Sequence, residues 1–279
     1  MSTLKSILLH LDASPRSAVR LLIARDLAAR HGAVLTALYA TEPSLLDLPF
    51  AMSHDPSGAQ LALEQLYDTR RADANRVFEH CAGSELPPMP WRELRGEPVV
   101  SGVTRMALLA DLLVLGQHDP NDSHAIGVPA DFVASVLIAS GRPAVIIPFA
   151  GAFTVPGREV LVAWKSTRES AQAVWGALPL LQGALRIHVT AEAAAGSVPA
   201  DIADLEAWLR RHGVQAPIQR HAAVPADRPG EGLLSLAADT GADLLVMGCY
   251  GHSRARELVL GGASRTLLNS MTLPVLMAH

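Results

Sequence analysis

The chain contains the same sequence pattern twice, and this internal repeat is the feature that most limits its fold. Residues 110–116 read ADLLVLG, and residues 242–248 read ADLLVMG. Each segment is followed by a polar loop, a short helical stretch and an apolar strand that begins at a proline. The beginnings also correspond, because residues 6–20 (SILLHLDASPRSAVR) resemble residues 159–174 (EVLVAWKSTRESAQAV). A repeat of this length indicates a duplicated domain rather than the short unit of a solenoid.

The join between the two copies is predicted near residues 149–157 (FAGAFTVPG), because Gly and Pro are typical of linkers. We therefore expect one domain at residues 1–150 and a second at residues 151–279. The chain of 279 residues is long enough for each to bury its own core.

Within each copy, apolar segments alternate with amphipathic ones. Runs such as LLVLG and LLVMG are apolar on both faces, as buried parallel strands are. The alternation predicts α/β domains, each with a doubly wound five-stranded parallel sheet and helices on both faces. Strands are expected near 5–11, 33–40, 90–95, 111–116 and 143–148, and near 158–164, 184–190, 217–221, 242–248 and 274–278. Helices are expected near 15–31, 58–82, 98–109 and 131–140, and near 167–181, 199–212, 229–240 and 263–270.

Composition argues against several classes of partner. The net charge is −4 and only 4% of the residues are aromatic, so neither nucleic acid nor an anionic membrane is favoured. Every apolar run is interrupted well before the length of a membrane span. Cys81 and Cys249 have no metal or redox spacing, which fits a reducing compartment. We expect a cytoplasmic protein that binds neither nucleic acid nor membrane.

No metal site is predicted. The cluster HDPNDSH, which contains His118, Asp119, Asp122 and His124, has no recognised ligand spacing and is more typical of a turn.

The segment after the fourth strand of the second copy carries a glycine pattern suited to an anion. Glycines stand at positions 248, 251, 261 and 262, and a helix follows. Small residues let backbone N–H groups approach an anion, and the helix N-terminus adds a favourable dipole. The pattern is neither a Walker A loop, since no Gly-Lys-Ser/Thr follows, nor a dinucleotide GxGxxG, since it follows the fourth strand. It predicts a phosphate cradle, with a flexible surface loop as the alternative.

The spacing of these glycines carries a family resemblance. Gly248-x-x-Gly251, followed after nine residues by Gly261, resembles the ATP-binding loop of universal stress proteins, and the terminal PVLM strand is similar to theirs. That family has Ser or Thr after the last glycine, where this chain has Gly262, with Ser264 two residues on. The resemblance spans nearly the whole chain, because both copies follow the five-strand pattern.

The resemblance implies an adenine nucleotide alpha hydrolase-like fold with strand order 3-2-1-4-5, in which the loops after the first and fourth strands share one crevice. It implies ATP or another adenine nucleotide as the ligand, with or without Mg²⁺. The site residues expected in the second copy are Met247, Gly248, Gly251, His252, Gly261, Gly262, Ala263, Ser264 and Lys165.

Lys165 departs from the family pattern. In the family, an acidic residue after the first strand contacts the nucleoside; the first copy has Asp12 there, and the second has Lys165. A carboxylate accepts hydrogen bonds from ribose hydroxyls or an exocyclic amine, whereas an ammonium only donates. Lys165 therefore either reaches phosphate or marks a weakened or repurposed site.

The first copy keeps the acidic residue but departs from the family pattern in its glycine loop. Asp119 stands where the second copy has Gly251, and Pro129 has no N–H to donate. Asp131 is placed at the start of a helix, where its own carboxylate would cap the N-terminus and repel phosphate. We expect the first copy to bind no triphosphate, so Asp12 is either a relic or a helix cap together with Ser14.

Three functions are compatible with these features. The first is a nucleotide-binding stress-response or signalling module. The second is an interaction protein in which neither site binds nucleotide any longer, and the third is a slow ATP hydrolase. No nucleophile–base pair or carboxylate dyad accompanies the glycine loop, so the sequence favours binding over catalysis and we do not expect an enzyme.

The resemblance further implies an internal pseudo-dimer through strands 143–148 and 274–278, and it leaves open whether two chains form a homodimer.

Overall fold

The computed structural model describes residues 4–42, 56–82, 89–122, 127–191, 201–249 and 262–279. Over these ranges, strands and helices alternate as the sequence predicts. The strands are β1 (Ser6–Leu11), β2 (Val34–Ala40), β3 (Trp91–Leu94), β4 (Leu112–Gly116), β5 (Ala144–Ile147), β6 (Glu159–Trp164), β7 (Arg186–Ala191), β8 (Ile218–Arg220), β9 (Leu244–Gly248) and β10 (Val275–Ala278). The helices are α1 (Ser17–His31), α2 (Pro56–Ala82), α3 (Val99–Ala107), α4 (Phe132–Ser140), α5 (Arg168–Gln182), α6 (Asp201–Arg211), α7 (Pro229–Thr240) and α8 (Ala263–Ser270).

The ten strands form one sheet in the order β3-β2-β1-β4-β5-β10-β9-β6-β7-β8. Read from its own outer edge, each half has the order 3-2-1-4-5, which confirms the predicted fold. All strand pairs within a half are parallel, whereas β5 and β10 are antiparallel, with Val275 opposite Ile146. The two fifth strands thus pair as the resemblance implied. The proposed domain boundary after residue 150 falls between β5 and β6.

Both faces of the sheet are covered, so consecutive residues of the central strands are buried. On β6, Val160 and Val162 belong to the core that lies under α1 and α5, whereas Leu161 belongs to the core under α4 and α8. Each core contains residues of both copies. The continuous apolar runs in the sequence are explained by this two-sided burial.

None of the described helices combines the length and the apolar character needed to cross a membrane.

Candidate functional site

Each half of the sheet has a crevice where the carboxyl ends of its first and fourth strands lie side by side. In the first copy β1 is registered against β4, with Leu9 opposite Val114. In the second copy β6 is registered against β9, with Ala163 opposite Met247. Ligands of open α/β sheets bind at such ends, so the two crevices are the candidate sites.

The first crevice contains a buried ion pair. Arg20 Nη2 lies 2.7 Å from Asp12 Oδ1, and the two side chains are only 3% and 8% exposed. The same carboxylate accepts hydrogen bonds from the backbone N–H of Ser14 and the hydroxyl of Ser17, each at 2.9 Å. Burial alone would raise the pKa of Asp12, but the Arg20 guanidinium and the other donors hold it well below its usual range. The acidic residue that resembles a nucleoside ligand is therefore already engaged within the chain.

Arg20 also fills the space beside the fourth strand. A Cβ atom built on Gly116 would lie 2.3 Å from Arg20 Nη1, so the guanidinium packs directly on the last residue of β4. The cavity that remains is about 30 Å³, lined by residues that include His10, Asp12, Arg20 and Gln117. That volume holds about one water molecule. Among the described residues, the first crevice is occupied by its own side chain, and the space that remains is far smaller than a nucleotide.

The sequence analysis missed Arg20, although a signal was present. Arg20 stands directly before Leu21, at the start of the buried stripe of α1 that continues with Ala24 and Leu27. The repeat places Ala173 at the same position of α5. A lone arginine on a buried helical face needs a partner, and Asp12 stands eight residues earlier in the chain, directly after the first strand.

Asp131 lies at the N-cap position of α4, as expected, but the prediction that its side chain caps the helix is wrong. It makes no capping bond, and its carboxylate instead accepts a hydrogen bond from Ser135 Oγ at 3.0 Å. The N-cap of α1 is Arg16, so Asp12 is not a helix cap either. The first copy is still predicted to bind no triphosphate, but the physical reason is Arg20 rather than a capping carboxylate.

The second crevice is built differently. Lys165 follows β6, and its backbone N–H donates to Ser170 Oγ at 3.1 Å. Thr167 caps α5, because its side chain accepts a hydrogen bond from the backbone N–H of Ser170. Since Ala173 replaces the arginine of the first copy, α5 contributes no cation at that position.

Close packing explains why position 248 is a glycine. A Cβ atom at this position would lie 2.4 Å from the backbone nitrogen of Ser170 and 2.6 Å from the carbonyl carbon of Glu169. The end of β9 therefore approaches the first turn of α5 at backbone distance, which only glycine permits. Met247, the predicted site residue that precedes it, is buried in the core beneath.

Helix α8 presents an N-terminus without a side-chain cap. Its N-cap is Gly262, which has no side-chain oxygen, and Ala263 and Ser264 form the start of the first turn. The N–H groups of a first turn and the helix dipole both favour an anion. The three remaining predicted residues, Gly251, His252 and Gly261, lie outside the described residues, so the loop itself stays a prediction.

Residues 158–279 match the sequence model of the universal stress protein family. The second half of the chain is a universal stress protein domain. No curated protein matches the chain. Among solved structures, a universal stress protein from Archaeoglobus fulgidus DSM 4304 is 17% identical, with a TM-score of 0.64, and the match covers 98% of this chain and 95% of that one.

Two further solved structures also match this chain over both copies. A putative universal stress protein from Pseudomonas aeruginosa UCBPP-PA14 is 17% identical, with a TM-score of 0.56, over 99% of this chain and 93% of that one. A functionally unknown protein from Pseudomonas aeruginosa PAO1 is 16% identical, with a TM-score of 0.53, over 99% of this chain and 92% of that one. Because these matches span both copies, the first half shares the overall fold of the universal stress protein domain that follows it.

His124 of the predicted turn lies outside the described residues. Within the part of the chain that is described, no group of three or more His, Cys, Asp or Glu side chains is arranged to hold a metal ion.

Proposed function

We propose that the chain binds an adenine nucleotide, ATP foremost, through its second copy and acts as a stress-response or signalling module rather than as an enzyme. The observation that carries the proposal is the difference between the two crevices. Arg20 fills the first one. The second has Ala173 in place of that arginine, keeps the glycine pattern, and lies in the half that matches the family model.

The described residues fit a phosphate group. The first turn of α8 offers backbone N–H groups and the positive end of the helix dipole, beginning at a glycine that cannot cap them. Gly251 and Gly261 are proposed to bring further N–H groups to the phosphates, and His252 lies in the same loop. Lys165 follows the neighbouring strand, and in this proposal its ammonium donates to a phosphate oxygen rather than to the nucleoside.

The first experiment is the nucleotide content of the purified protein, released by denaturation and identified by mass spectrometry. We expect about one adenine nucleotide per chain, because the first crevice has no room for one. A ligand present at 100 times its Kd should also raise the free energy of unfolding by about 2.7 kcal/mol. A protein that is empty and has an unchanged Tm in excess ATP would contradict the proposal and favour the interaction-protein alternative.

The Gly251→Asp variant tests the location. It places a negative charge where the phosphates are proposed to lie, so ATP binding should be lost while the fold is kept. The matched control is Gln60→Glu, which adds the same charge at an exposed position of α2 in the first copy and should bind normally. Equal ATP affinity in Gly251→Asp and wild type would place the ligand elsewhere. Mg²⁺-dependent turnover that disappears in Gly251→Asp would instead identify a slow hydrolase.

A further inference from the structure

A second, larger cavity lies where the two copies meet. It has a volume of about 960 Å³, and its lining contains none of Lys165, Gly248 and Gly262. One wall belongs to the first copy and the other to helices α5 and α6. We call it the α5 groove, and its lining includes Asp111, Arg142, Pro143, Trp164, Arg168, Trp175, Pro179, Asp204, Trp208 and Arg211.

The apolar part of the α5 groove is dominated by indole rings. Trp175 is 60% exposed, and its ring centroid lies 5.8 Å from that of Trp208. Trp164 and Pro179 belong to the same lining. A cavity of this size with aromatic walls and a few charged groups has the properties of a ligand-binding site.

The charges around the groove favour an acidic occupant. Three arginines line it, at positions 142, 168 and 211. The carboxylate of Asp111 is engaged, because it accepts hydrogen bonds from the backbone N–H groups of Lys5 and Ser6 at 2.7 and 3.0 Å. Asp204 is the other acidic residue in the lining, so arginines outnumber carboxylates by three to two. Arg168 also lies 3.4 Å from Glu169 Oε1, and Arg142 donates to the carbonyl oxygen of Leu108, which leaves Arg211 as the cation on which the proposal depends most.

Internal symmetry shows what such a groove can hold. The equivalent of Asp111 in the second copy is Asp243, whose carboxylate accepts the backbone N–H groups of Gly157 and Arg158 at 2.8 and 3.1 Å. The two copies therefore have the same local geometry at the start of their first and fourth strands. Because α1 corresponds to α5, a matching groove runs along α1.

That matching groove is filled by the chain segment between β5 and β6. Arg16 donates to the carbonyl oxygens of Gly151 and Pro148 at 3.0 and 2.9 Å, and Arg30 near the end of α1 donates to that of Pro156 at 3.3 Å. The segment thus runs along α1 without regular secondary structure. Phe153 and Val155 pack against the core, and the Arg16 guanidinium lies 5.9 Å from the Phe153 ring. Among the described residues, no segment lies along α5 in this way.

We propose that the α5 groove binds an extended peptide segment of a partner protein, with an aromatic residue followed two positions later by an aliphatic one and flanked by acidic residues. The aromatic and aliphatic residues occupy the tryptophan-lined part of the α5 groove. They correspond to Phe153 and Val155, which occupy the matching groove along α1. The acidic residues face Arg142, Arg168 and Arg211. This role is independent of nucleotide binding in the second copy.

The test uses the full chain and three synthetic nonapeptides. One carries Phe-Thr-Val flanked by Asp and Glu, one has the same core flanked by Lys, and one has Ala-Thr-Ala flanked by Asp and Glu. Three of the four tryptophans line the groove, so intrinsic fluorescence reports binding directly. We expect the acidic Phe-Thr-Val peptide to bind at least about tenfold more tightly than the other two.

Two variants locate the binding. Trp175→Ser changes an exposed side chain, and Arg211→Glu reverses a charge at the rim; each should weaken the acidic peptide by about tenfold or more. Leu109→Ser, at a residue that is 88% exposed and outside the groove, is the control and should bind as wild type does. Circular dichroism checks that each variant is folded, and Arg211→Glu serves alone if Trp175→Ser is not.

Four outcomes would overturn the proposal. The first is the absence of binding by any of the peptides at about 1 mM. The second is binding that Arg211→Glu leaves unchanged. The third is equal affinity for free N-acetylphenylalanine, which would identify a small-molecule pocket. The fourth is a dimer that dissociates in Trp175→Ser, which would identify a second copy of this chain as the occupant.

Discussion

Arg20 and Asp12 form an ion pair that solvent hardly reaches, and each depends on the other. Arg20→Leu removes the cation and leaves the carboxylate buried beside an apolar side chain. We expect the free energy of unfolding to fall by about 3–5 kcal/mol, since an unpaired buried charge is costly. Urea denaturation of wild type and variant measures the difference.

The double variant Asp12→Asn, Arg20→Leu separates the pair from its environment. Replacing both charged partners should recover most of the lost stability, because the ion pair itself adds little net free energy once desolvation is counted. A double variant as unstable as Arg20→Leu would mean that the guanidinium stabilises the crevice through packing on Gly116 rather than through Asp12.

His10 makes stability depend on pH. The side chain is buried, its Nε2 lies 2.9 Å from the carbonyl oxygen of Ala40, and burial lowers its pKa to about 4, with Arg20 acting in the same direction and Asp12 against it. The unfolded chain takes up a proton as pH falls through the ordinary value, whereas the folded chain does not until about pH 4. This group should therefore remove about 3 kcal/mol of stability between pH 7 and pH 4.

The measurement for His10 is a comparison with His10→Gln, whose amide can still donate to Ala40. Asp12 contributes little over this range, because its pKa is about 3.8 in the unfolded chain and lower in the folded chain, so its stabilisation is lost mainly below pH 4. His31 and His188 also have lowered pKa values, so the stability of the variant will still fall with acid, but less steeply. Parallel curves for the two proteins would show that His10 does not titrate in this way.

At the residue scale, the sequence predicted where the two crevices lie but not which side chains fill them. Asp12 and Lys165 were identified because the family resemblance points to the residue after the first strand, and the repeat shows which residue that is in each copy. The buried stripe of α1 indicates that the Arg20 side chain is buried, but it does not indicate that this side chain turns towards Asp12, eight residues earlier in the chain. The capping role of Asp131 failed for a similar reason, since Ser135 one turn later competes for the same carboxylate.

At the scale of elements, two glycines of the predicted nucleotide site have different physical roles. Gly248→Ala places a methyl group 2.4 Å from a backbone atom of α5, which cannot move without displacing the helix. We expect it to lower the free energy of unfolding by about 1–3 kcal/mol. A methyl group at Gly262 would meet no heavy atom of the described residues within 4 Å, so Gly262→Ala should cost less than about 1 kcal/mol.

Urea denaturation and ATP titration of both variants separate stability from binding. Gly262→Ala should be nearly as stable as wild type, so any loss of ATP affinity in it would report on the proposed phosphate site. If Gly248→Ala is as stable as Gly262→Ala, the end of β9 is not held against α5 as closely as the structure indicates.

The elements themselves could be predicted because their signals are local. Buried strands such as β4 and β9 appear as apolar runs, and α1 ends at a glycine that takes up the left-handed conformation. The path of the segment between β5 and β6 could not be predicted, although its composition marked it as a linker. Its position along α1 depends on Arg16 and Arg30, whose carbonyl partners lie more than a hundred residues away in sequence.

At the scale of the whole molecule, the antiparallel pairing of β5 with β10 makes two repeats into one sheet. Each of the two large cores includes residues from both copies. Loss of either half would expose the apolar edge strand of the other. The two halves should therefore unfold together, even though the sequence indicates two domains.

The four tryptophans allow a direct test of this coupling. Trp91 lies in β3 of the first copy, whereas Trp164, Trp175 and Trp208 lie in the second. Trp91→Phe gives a reporter of the second copy, and a triple Trp→Phe variant that keeps Trp91 gives a reporter of the first. We expect each reporter protein to show one urea transition that coincides with the loss of its circular dichroism signal.

Adding Gly248→Ala to both reporter proteins makes the test sharper, because this substitution acts only in the second copy. If the sheet and cores couple the halves, the midpoint reported by Trp91 should fall by the same amount as the midpoint reported by the second copy. Independent domains would leave the Trp91 transition unchanged. If the halves are coupled, the proposed nucleotide in the second copy would also stabilise the first copy, through the pairing of β5 with β10. The first copy would then unfold at a higher urea concentration in the presence of a ligand that it does not itself bind.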